Sequence, residues 1–381
     1  MIVARIVKSV DRGIKIVLGG PHVYIYPEET IRLPEVDYLV LGEGEMPFTE
    51  FLQNIDNHSA LKEIKGIVFK HNGEIINTGT RELIDDLDTL PLPARHLTKI
   101  NKYSSLLAKG GLVTTMITSR GCPYRCSFCY RPHLGKRFRA RSARNVVDEM
   151  EGCLNMGVKE ILVYDDTFTI DKQRVINVCN LILERGLNIT WDIRTRVDIV
   201  DRQMLKSLKS AGCERIHYGI ESANPEILKV LQKGVTLPQV ESAFEMTKEA
   251  GITTLAYFMI GSPTETKEQV LNTINYAKRL EPDYCHFSVL TPFPATPLYK
   301  MGIKKGMFED YWREFAANPS KDFKTKFWEE NLSWDELTQL LEYAYRSFYS
   351  RPRYVLKQMR KVHSFGEFAR KAKAGLKVLK H

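Results

Sequence analysis

Short apolar runs alternate with amphipathic stretches over most of this 381-residue chain. Six runs after residue 110 have the length and the flanking residues of buried strands, namely 112–118, 160–164, 189–194, 215–218, 254–260 and 284–290. Six stretches between them carry apolar residues at helical spacing, namely 142–156, 172–185, 202–211, 225–232, 238–250 and 267–279. Strands that alternate with helices are typical of a parallel sheet, so the pattern predicts an α/β fold curved into a barrel or partial barrel.

The N-terminal region carries a shorter version of the same pattern. Apolar runs at 14–18 and 37–41 each end in a glycine-rich turn, and a helical pattern at 46–55 follows the second run. A hairpin is predicted over 67–78, because the Asn-Gly pair within it is a strong two-residue turn signal. Two strand–loop–helix units of this kind predict part of a doubly wound, Rossmann-like sheet.

The remaining segments differ in composition. Residues 85–95 hold three Asp and two Pro, which is typical of a linker. Residues 301–350 are rich in aromatic side chains, and a helix is predicted at 335–348 behind the N-cap candidate Ser333. We therefore divide the chain into five segments: an α/β fragment with a hairpin (1–84), a linker (85–109), the barrel (110–300), an aromatic-rich helical extension (301–350) and a basic amphipathic tail (351–381).

Composition and charge exclude several classes of protein. With 43% hydrophobic and 27% charged residues, the chain is neither disordered nor fibrous. No apolar run approaches the ~20 residues of a membrane-spanning helix, and the first residues do not form a secretory signal, so we expect a cytoplasmic protein.

The net charge of +9 arises entirely from residues 351–381, which hold ten Lys or Arg and one acidic residue. The balanced remainder gives no reason to expect a nucleic-acid partner. The tail has apolar residues at helical spacing, so it either lies peripherally on an anionic membrane or packs its apolar stripe on the protein body.

Three of the seven cysteines fall within eight positions, spaced as Cys122-x3-Cys126-x2-Cys129. An odd number of cysteines in a chain without a signal peptide argues against a disulfide framework. Three thiolates in a Gly/Pro-bearing loop suit an iron–sulfur cluster or zinc. His133 is a weak candidate for a fourth zinc ligand, and three ligands with an open position favour a reactive site over a closed structural one.

The cysteine loop, with Phe128 before its last cysteine, resembles that of the radical S-adenosylmethionine (SAM) superfamily, in its cobalamin-domain-containing branch. Five further segments agree with that branch in the same order: 163–168, 191–198, 219–222, 258–265 and 291–299. The resemblance covers roughly residues 110–300 and implies a partial (β/α)6 radical SAM barrel.

The resemblance also implies a [4Fe-4S] cluster held by three residues, Cys122, Cys126 and Cys129, whose open iron binds SAM. By the same resemblance, an electron from the cluster cleaves SAM to methionine and a 5′-deoxyadenosyl radical. The residues that it implies for SAM binding are Phe128 and Gly261 beside adenine, Asp165 and Arg196 at the methionine end, and Glu221 and Ser222 at the amino group or ribose.

Simpler roles stay open for several of these side chains. Asp165 also suits a turn after a strand, and Arg196 also suits an ion pair with Asp198 or Asp201. Ser222 also suits a cap for the helix near residue 225. No catalytic residue is assigned from the sequence.

Residues 17–22 and 36–45 resemble the second half of the cobalamin-binding domain often fused before this barrel. In that family the first half contains an Asp-x-His-x-x-Gly loop whose histidine ligates cobalt, and this motif does not occur here. Cobalamin is therefore doubtful as a cofactor. Either the start of the domain is missing or the fragment serves as a structural cap.

The resemblance implies radical chemistry on a small organic substrate, lipid or tetrapyrrole-like among relatives, by C-methylation, oxidative cyclisation or rearrangement. It also implies a reductant such as a flavodoxin or ferredoxin. Two alternatives stay open: a cluster- or zinc-bearing RNA-binding protein without SAM turnover, and a degenerate remnant with an intact barrel.

Overall fold

A computed structural model describes residues 1–105, 107–108, 110–129 and 133–360. Its strands are β1 (Val17–Gly19), β2 (Tyr38–Val40), β3 (Ile67–His71), β4 (Glu74–Asn77), β5 (Leu112–Met116), β6 (Ser119–Arg120), β7 (Arg139–Ala140), β8 (Val158–Val163), β9 (Thr190–Thr195), β10 (Cys213–Glu221), β11 (Thr253–Ile260) and β12 (Tyr284–Val289). Its helices are α1 (Ile2–Val10), α2 (Pro21–Ile25), α3 (Pro27–Ile31), α4 (Glu45–Gln53), α5 (His58–Glu63), α6 (Ala143–Asn155), α7 (Lys172–Glu184), α8 (Arg202–Ser210), α9 (Pro225–Val230), α10 (Leu237–Glu249), α11 (Lys267–Leu280), α12 (Pro297–Lys304), α13 (Tyr311–Ala317), α14 (Trp334–Tyr349) and α15 (Pro352–Arg360).

The larger of two compact units comprises the described residues of 87–120, 138–290 and 327–360. Its main sheet has the order β12-β11-β10-β9-β8-β5, with every neighbouring pair parallel. The predicted partial (β/α)6 barrel is confirmed, and each predicted strand is present with its ends moved by a few residues. Parallel pairing places the carboxyl ends of all six strands on one edge.

The core of this unit lies between the sheet and its helices. Trp191 is fully buried, and its indole N–H donates to the carbonyl of Ala211 at 2.8 Å. Ser333 caps α14 in a capping box with Glu336, as the sequence predicts. The helical C-terminal region of the predicted fold class is therefore confirmed, and α14 packs against β12.

The smaller unit comprises the described residues of 1–86, 121–137 and 291–326. Its sheet has the order β1-β2-β3-β4, in which β1 and β2 are parallel and the last two strands form an antiparallel hairpin. The predicted hairpin turn is present, and Asn72 and Gly73 both have positive φ angles, 52° and 83°. The five segment boundaries proposed from the sequence stay predictions.

In the ranges that the structure describes, no helix is both long enough and apolar enough to cross a bilayer. Residues 361–381, most of the predicted amphipathic tail, lie outside the described residues.

Candidate functional site

The three clustered cysteines lie in the loop between β6 and β7, which we call the cysteine loop (residues 121–137). The two short strands pair antiparallel, with Ser119 opposite Ala140. Gly121 has a φ angle of +80°, and a side chain there would overlap the carbonyl oxygen of Arg137. Only glycine fits this close approach, which brings the start of the cysteine loop against its end.

Within the cysteine loop, Cys122 and Cys126 are half-buried and Cys129 is exposed. The backbone N–H of Cys129 donates to the carbonyl of Cys126 at 3.2 Å. Phe128, the residue before Cys129, is half-buried. Three soft thiolates are the donor set that iron–sulfur clusters prefer. In the described residues, His133 included, no three Cys, His, Asp or Glu side chains are gathered closely enough to share an ion.

Asp165 follows β8 and is 1% exposed. Its Oδ1 accepts from the backbone N–H of Thr118 at 2.6 Å, and its Oδ2 accepts from the hydroxyls of Thr118 and Ser119, each at 2.6 Å. The carboxylate thus contacts the two residues that lead into the cysteine loop.

Arg196 and Glu221 are both buried and both paired. The guanidinium of Arg196 donates to both oxygens of Asp198 at 2.9 Å, which matches the ion pair weighed from the sequence. Glu221 has a φ angle of +74° and accepts from the ammonium of Lys233 at 2.7 Å.

Ser222 and Gly261 also have close protein neighbours. Ser222 is fully buried, and its hydroxyl accepts from the backbone N–H of Asn224 at 3.2 Å and lies 3.3 Å from the Thr273 hydroxyl. Gly261 has a φ angle of +79°, and a Cβ there would lie 2.9 Å from Leu337 Cδ2.

Four of the predicted residues, Asp165, Arg196, Glu221 and Gly261, follow or end adjacent strands β8, β9, β10 and β11. The topology therefore brings them to one edge of the sheet. Phe128 and the three cysteines belong to the smaller compact unit. The assignment of all these residues to a cluster and SAM stays a prediction.

Sequence reasoning missed a polar cluster midway along the barrel strands, here called the strand cluster: Glu160, Asp192, Arg215, His217 and Tyr257. Arg215 donates to Asp192 Oδ2 at 2.7 Å and to Glu160 Oε1 at 2.9 Å. His217 Nε2 lies 3.2 Å from Asp192 Oδ2, and its Nδ1 lies 2.9 Å from the Tyr257 hydroxyl. Four neighbouring strands, β8 to β11, thus contribute to one hydrogen-bonded network.

Both ring nitrogens of His217 have partners. Nε2 lies 3.2 Å from Asp192 Oδ2 and 3.2 Å from Arg215 Nε, so it faces an acceptor and a donor at the same distance. Nδ1 lies 2.9 Å from the Tyr257 hydroxyl, and the tautomer decides which of these two atoms donates. Burial lowers the pKa of His217, and Asp192 only partly offsets this. Burial alone would raise the pKa of Asp192, but His217 and Arg215 outweigh it and hold that pKa below its usual range.

One signal in the sequence marks the strand cluster. Arg215, His217 and Gly219 are polar or small at every second position of β10, and such residues share one face of a strand. Because a parallel strand covered on both faces usually reads as a continuous apolar run, this alternation indicates a polar interior face.

Comparison with known proteins agrees with this architecture. A sequence model of the radical SAM superfamily matches residues 116–277. An uncharacterized methyltransferase of Pyrococcus horikoshii is 37% identical over 368 residues, which are 95% of this chain and 78% of that protein. The chain belongs to the radical SAM superfamily.

Membership of the radical SAM superfamily confirms the predicted enzyme class, with a [4Fe-4S] cluster and SAM as the cofactors of its members. A model of the B12-binding domain matches residues 2–52, so the resemblance of the N-terminal fragment is confirmed too. The alternative of an RNA-binding protein is not favoured.

Other relatives are longer than this chain. The anaerobic magnesium-protoporphyrin IX monomethyl ester cyclase of Cereibacter sphaeroides is 32% identical over 293 residues, 74% of this chain and 48% of the cyclase. The cobalamin-dependent SAM radical enzyme OxsB has a similar fold, with a TM-score of 0.74 and 20% identity over 97% of this chain and 59% of its own. The radical SAM methyltransferase TsrM of Kitasatospora setae also has a similar fold, with a TM-score of 0.66 and 22% sequence identity. The match covers 80% of this chain and 60% of TsrM.

A second feature missed from the sequence is Glu265, in the turn after β11 of this radical SAM barrel. It is 1% exposed, and one carboxylate oxygen accepts from the backbone N–H of Ser262 at 3.0 Å. Burial raises the pKa of Glu265 to about 7, and the N–H groups of Ser262 and Gly261 offset only part of this. The carboxyl is therefore largely protonated below neutral pH.

This buried carboxyl makes stability pH-dependent. The unfolded chain ionises Glu265 near 4.5 and the folded chain near 7, so stability falls as pH rises through that window, by ~3 kcal/mol in total. We expect Glu265→Gln to be more stable than wild type at pH 8 and to lose this advantage at pH 4.5. Chemical denaturation at both pH values measures the free energy of unfolding of each variant. The control is Glu245→Gln, because Glu245 is exposed. Equal pH dependence in wild type and Glu265→Gln would refute the assignment.

Proposed function

We propose that this radical SAM enzyme holds its cluster through Cys122, Cys126 and Cys129 and transfers a methyl group to a carbon atom of a small organic substrate. The observation that carries the proposal is the glycine-closed cysteine loop with its three thiols. When bound, a [4Fe-4S] cluster supplies the electron that breaks a sulfonium C–S bond of SAM.

Methyl transfer is supported by a relative that matches 95% of this chain, since it is named a methyltransferase. The match of residues 2–52 to the B12-binding domain is a second support, because cobalamin carries methyl groups in this branch. Oxidative cyclisation is the second candidate. Its support is the cyclase at 32% identity, of which this chain spans about half.

The strand cluster supports a substrate site on the interior face of the barrel. Near it, Tyr164 is 48% exposed, and the guanidinium of Arg194 lies 3.6 Å from the centre of its ring. Tyr257 is half-buried, and its ring meets that of exposed His286 edge-on at 5.6 Å. Aromatic faces of this kind bind flat, conjugated molecules by stacking, and a tetrapyrrole-like substrate fits this chemistry.

His217 and Tyr257 are placed to handle a proton at such a substrate. In the tautomer of His217 whose Nδ1 accepts from the Tyr257 hydroxyl, the Tyr257 oxygen has lone pairs left to accept from a substrate group. Asp192 then stabilises the imidazolium that forms if the proton moves on to His217.

The partners follow from the same proposal. A low-potential cluster takes its electron from a reductant such as a flavodoxin or ferredoxin, in the cytoplasm. Peripheral membrane contact through the tail has one support among described residues. On α15, Val355, Leu356 and Met359 are exposed beside Arg353 and Lys357.

The cysteine assignment predicts that Cys126→Ala abolishes SAM cleavage. Anaerobically reconstituted wild type should form 5′-deoxyadenosine with a chemical reductant, and S-adenosylhomocysteine once substrate and cobalamin are supplied. Cys153→Ala is the control, because Cys153 is buried on α6 outside the cysteine loop. Full SAM cleavage by Cys126→Ala would contradict the assignment of Cys126 as a cluster ligand.

The tail assignment predicts that a chain ending at residue 360 loses affinity for vesicles containing phosphatidylserine and keeps SAM cleavage. Binding of the full chain should weaken with added salt, because exposed charges are screened. Co-sedimentation measures binding, with phosphatidylcholine vesicles as the control. Equal binding by both chains would exclude a role for residues 361–381, and lost cleavage in a folded truncation would place them in the catalytic architecture.

A further inference from the structure

We propose that Asp165 and Arg174 are positioning residues that fix where the cysteine loop leaves the barrel. They act through Thr118, and we call the three residues the neck clamp. The inference rests on the proposed function in one respect, namely that the cysteine loop carries the cluster. It gives Asp165 a different task from the contact with SAM that the family resemblance implies.

Every polar atom of Thr118 is engaged. Its N–H and hydroxyl both donate to Asp165 at 2.6 Å. The hydroxyl accepts from Arg174 Nη2 at 2.6 Å, and the carbonyl accepts from the same nitrogen at 3.0 Å. Thr118 is fully buried, so no water competes for these groups. Four hydrogen bonds to Asp165 and Arg174 therefore hold Thr118 in one orientation, three positions before Gly121.

Arg174 joins the two chain segments that flank the cysteine loop. Its Nη2 binds Thr118 on the outgoing segment, and its Nε donates to the carbonyl of Arg141 on the returning segment at 2.7 Å. The two segments also contact each other directly, since the backbone N–H of Arg141 donates to the carbonyl of Thr118 at 3.0 Å. The Arg174 guanidinium on α7 thus sets the distance between the two chain segments that flank the cysteine loop.

The returning segment is itself tied down by charge. The guanidinium of Arg141 is paired with Glu149 on α6, whose other oxygen lies 2.5 Å from Arg95 Nη1. All of these groups belong to the larger compact unit. The two chain segments that flank the cysteine loop are thereby fixed to the residues after β8 and to α6 and α7, within this one unit.

Burying two charged side chains costs free energy, and this indicates that they have a role in positioning. Arg174 and Asp165 are both over nine-tenths buried, and burial lowers the pKa of the Arg174 guanidinium. Well-packed apolar residues often stabilise a core as much as a buried ion pair does, whereas fixed hydrogen bonds specify one geometry. A carboxylate that is 1% exposed also offers SAM almost no surface to contact.

The test compares variants of the neck clamp with matched controls in the full chain. Thr118→Val removes the hydroxyl at nearly constant volume, Thr118→Ser restores it, and Asp165→Asn removes the charge. The control is Asp166→Asn, the adjacent half-buried carboxylate. In Thr118→Val and Asp165→Asn, the rate of hydrogen–deuterium exchange over residues 118–129 of the unloaded chain should rise about tenfold, because a buried hydrogen-bond network is lost. The exchange rates of the other residues should not change. Thr118→Ser and Asp166→Asn should exchange like wild type.

A second readout follows the cluster itself. After anaerobic reconstitution, Thr118→Val and Asp165→Asn should bind less iron and sulfide and give a broadened electron paramagnetic resonance signal when reduced. Their double variant should be no worse than either single variant, because the two groups act as one unit.

Two results would overturn the neck clamp. One is unchanged exchange over 118–129 in both variants. The other is normal iron content in Asp165→Asn with only a raised KM for SAM, which would return Asp165 to a SAM contact. A failure of the cluster assignment appears separately, as equal iron content in wild type and Cys126→Ala, while the exchange data still decide the neck clamp.

Discussion

Parallel pairing of six strands is the constraint on which the rest of the catalytic unit depends. Each parallel connection needs a crossover, so a helix follows most strands and covers the outer face of the sheet. The same pairing collects every strand end at one edge, where Asp165, Arg196, Glu221 and Gly261 follow in order. Residues far apart in sequence become neighbours there without any direct attraction between them.

Charged side chains are buried in two separate networks of the barrel. In the strand cluster, Arg215 is shared by Glu160 and Asp192, and Asp192 also holds His217. In the neck clamp, Arg174 and Asp165 meet on Thr118. Each charge is costly to bury alone and is compensated by partners that face it, so both networks hold their members in single orientations.

The N-terminal fragment completes a small sheet of its own. Its two parallel strands belong to the B12-binding family match, and the hairpin extends them antiparallel through β3. The glycine turn after β1 depends on Gly20, whose φ of 95° with ψ of −174° is a backbone conformation that side chains other than glycine avoid.

The sequence by itself determined the elements and the chemistry of the cysteine loop. Alternating apolar runs predicted six strands in the right order, the Asn-Gly pair predicted the hairpin, and the spacing of three cysteines indicated the cofactor class. These features are local, because they depend on period, turn geometry and donor type within a few residues. Family resemblance extended them to SAM.

Only the tertiary structure decided the partners of the polar residues. Asp165 and Thr118 are 47 positions apart, and nothing local in either segment indicates that two hydrogen bonds join them. Likewise, the hydroxyl of Ser222 meets that of Thr273 on α11, a contact that exists only once this helix has packed in the folded chain. A polar side chain carries the same donors wherever it stands, so its role is set by the groups that the packed chain brings to face it.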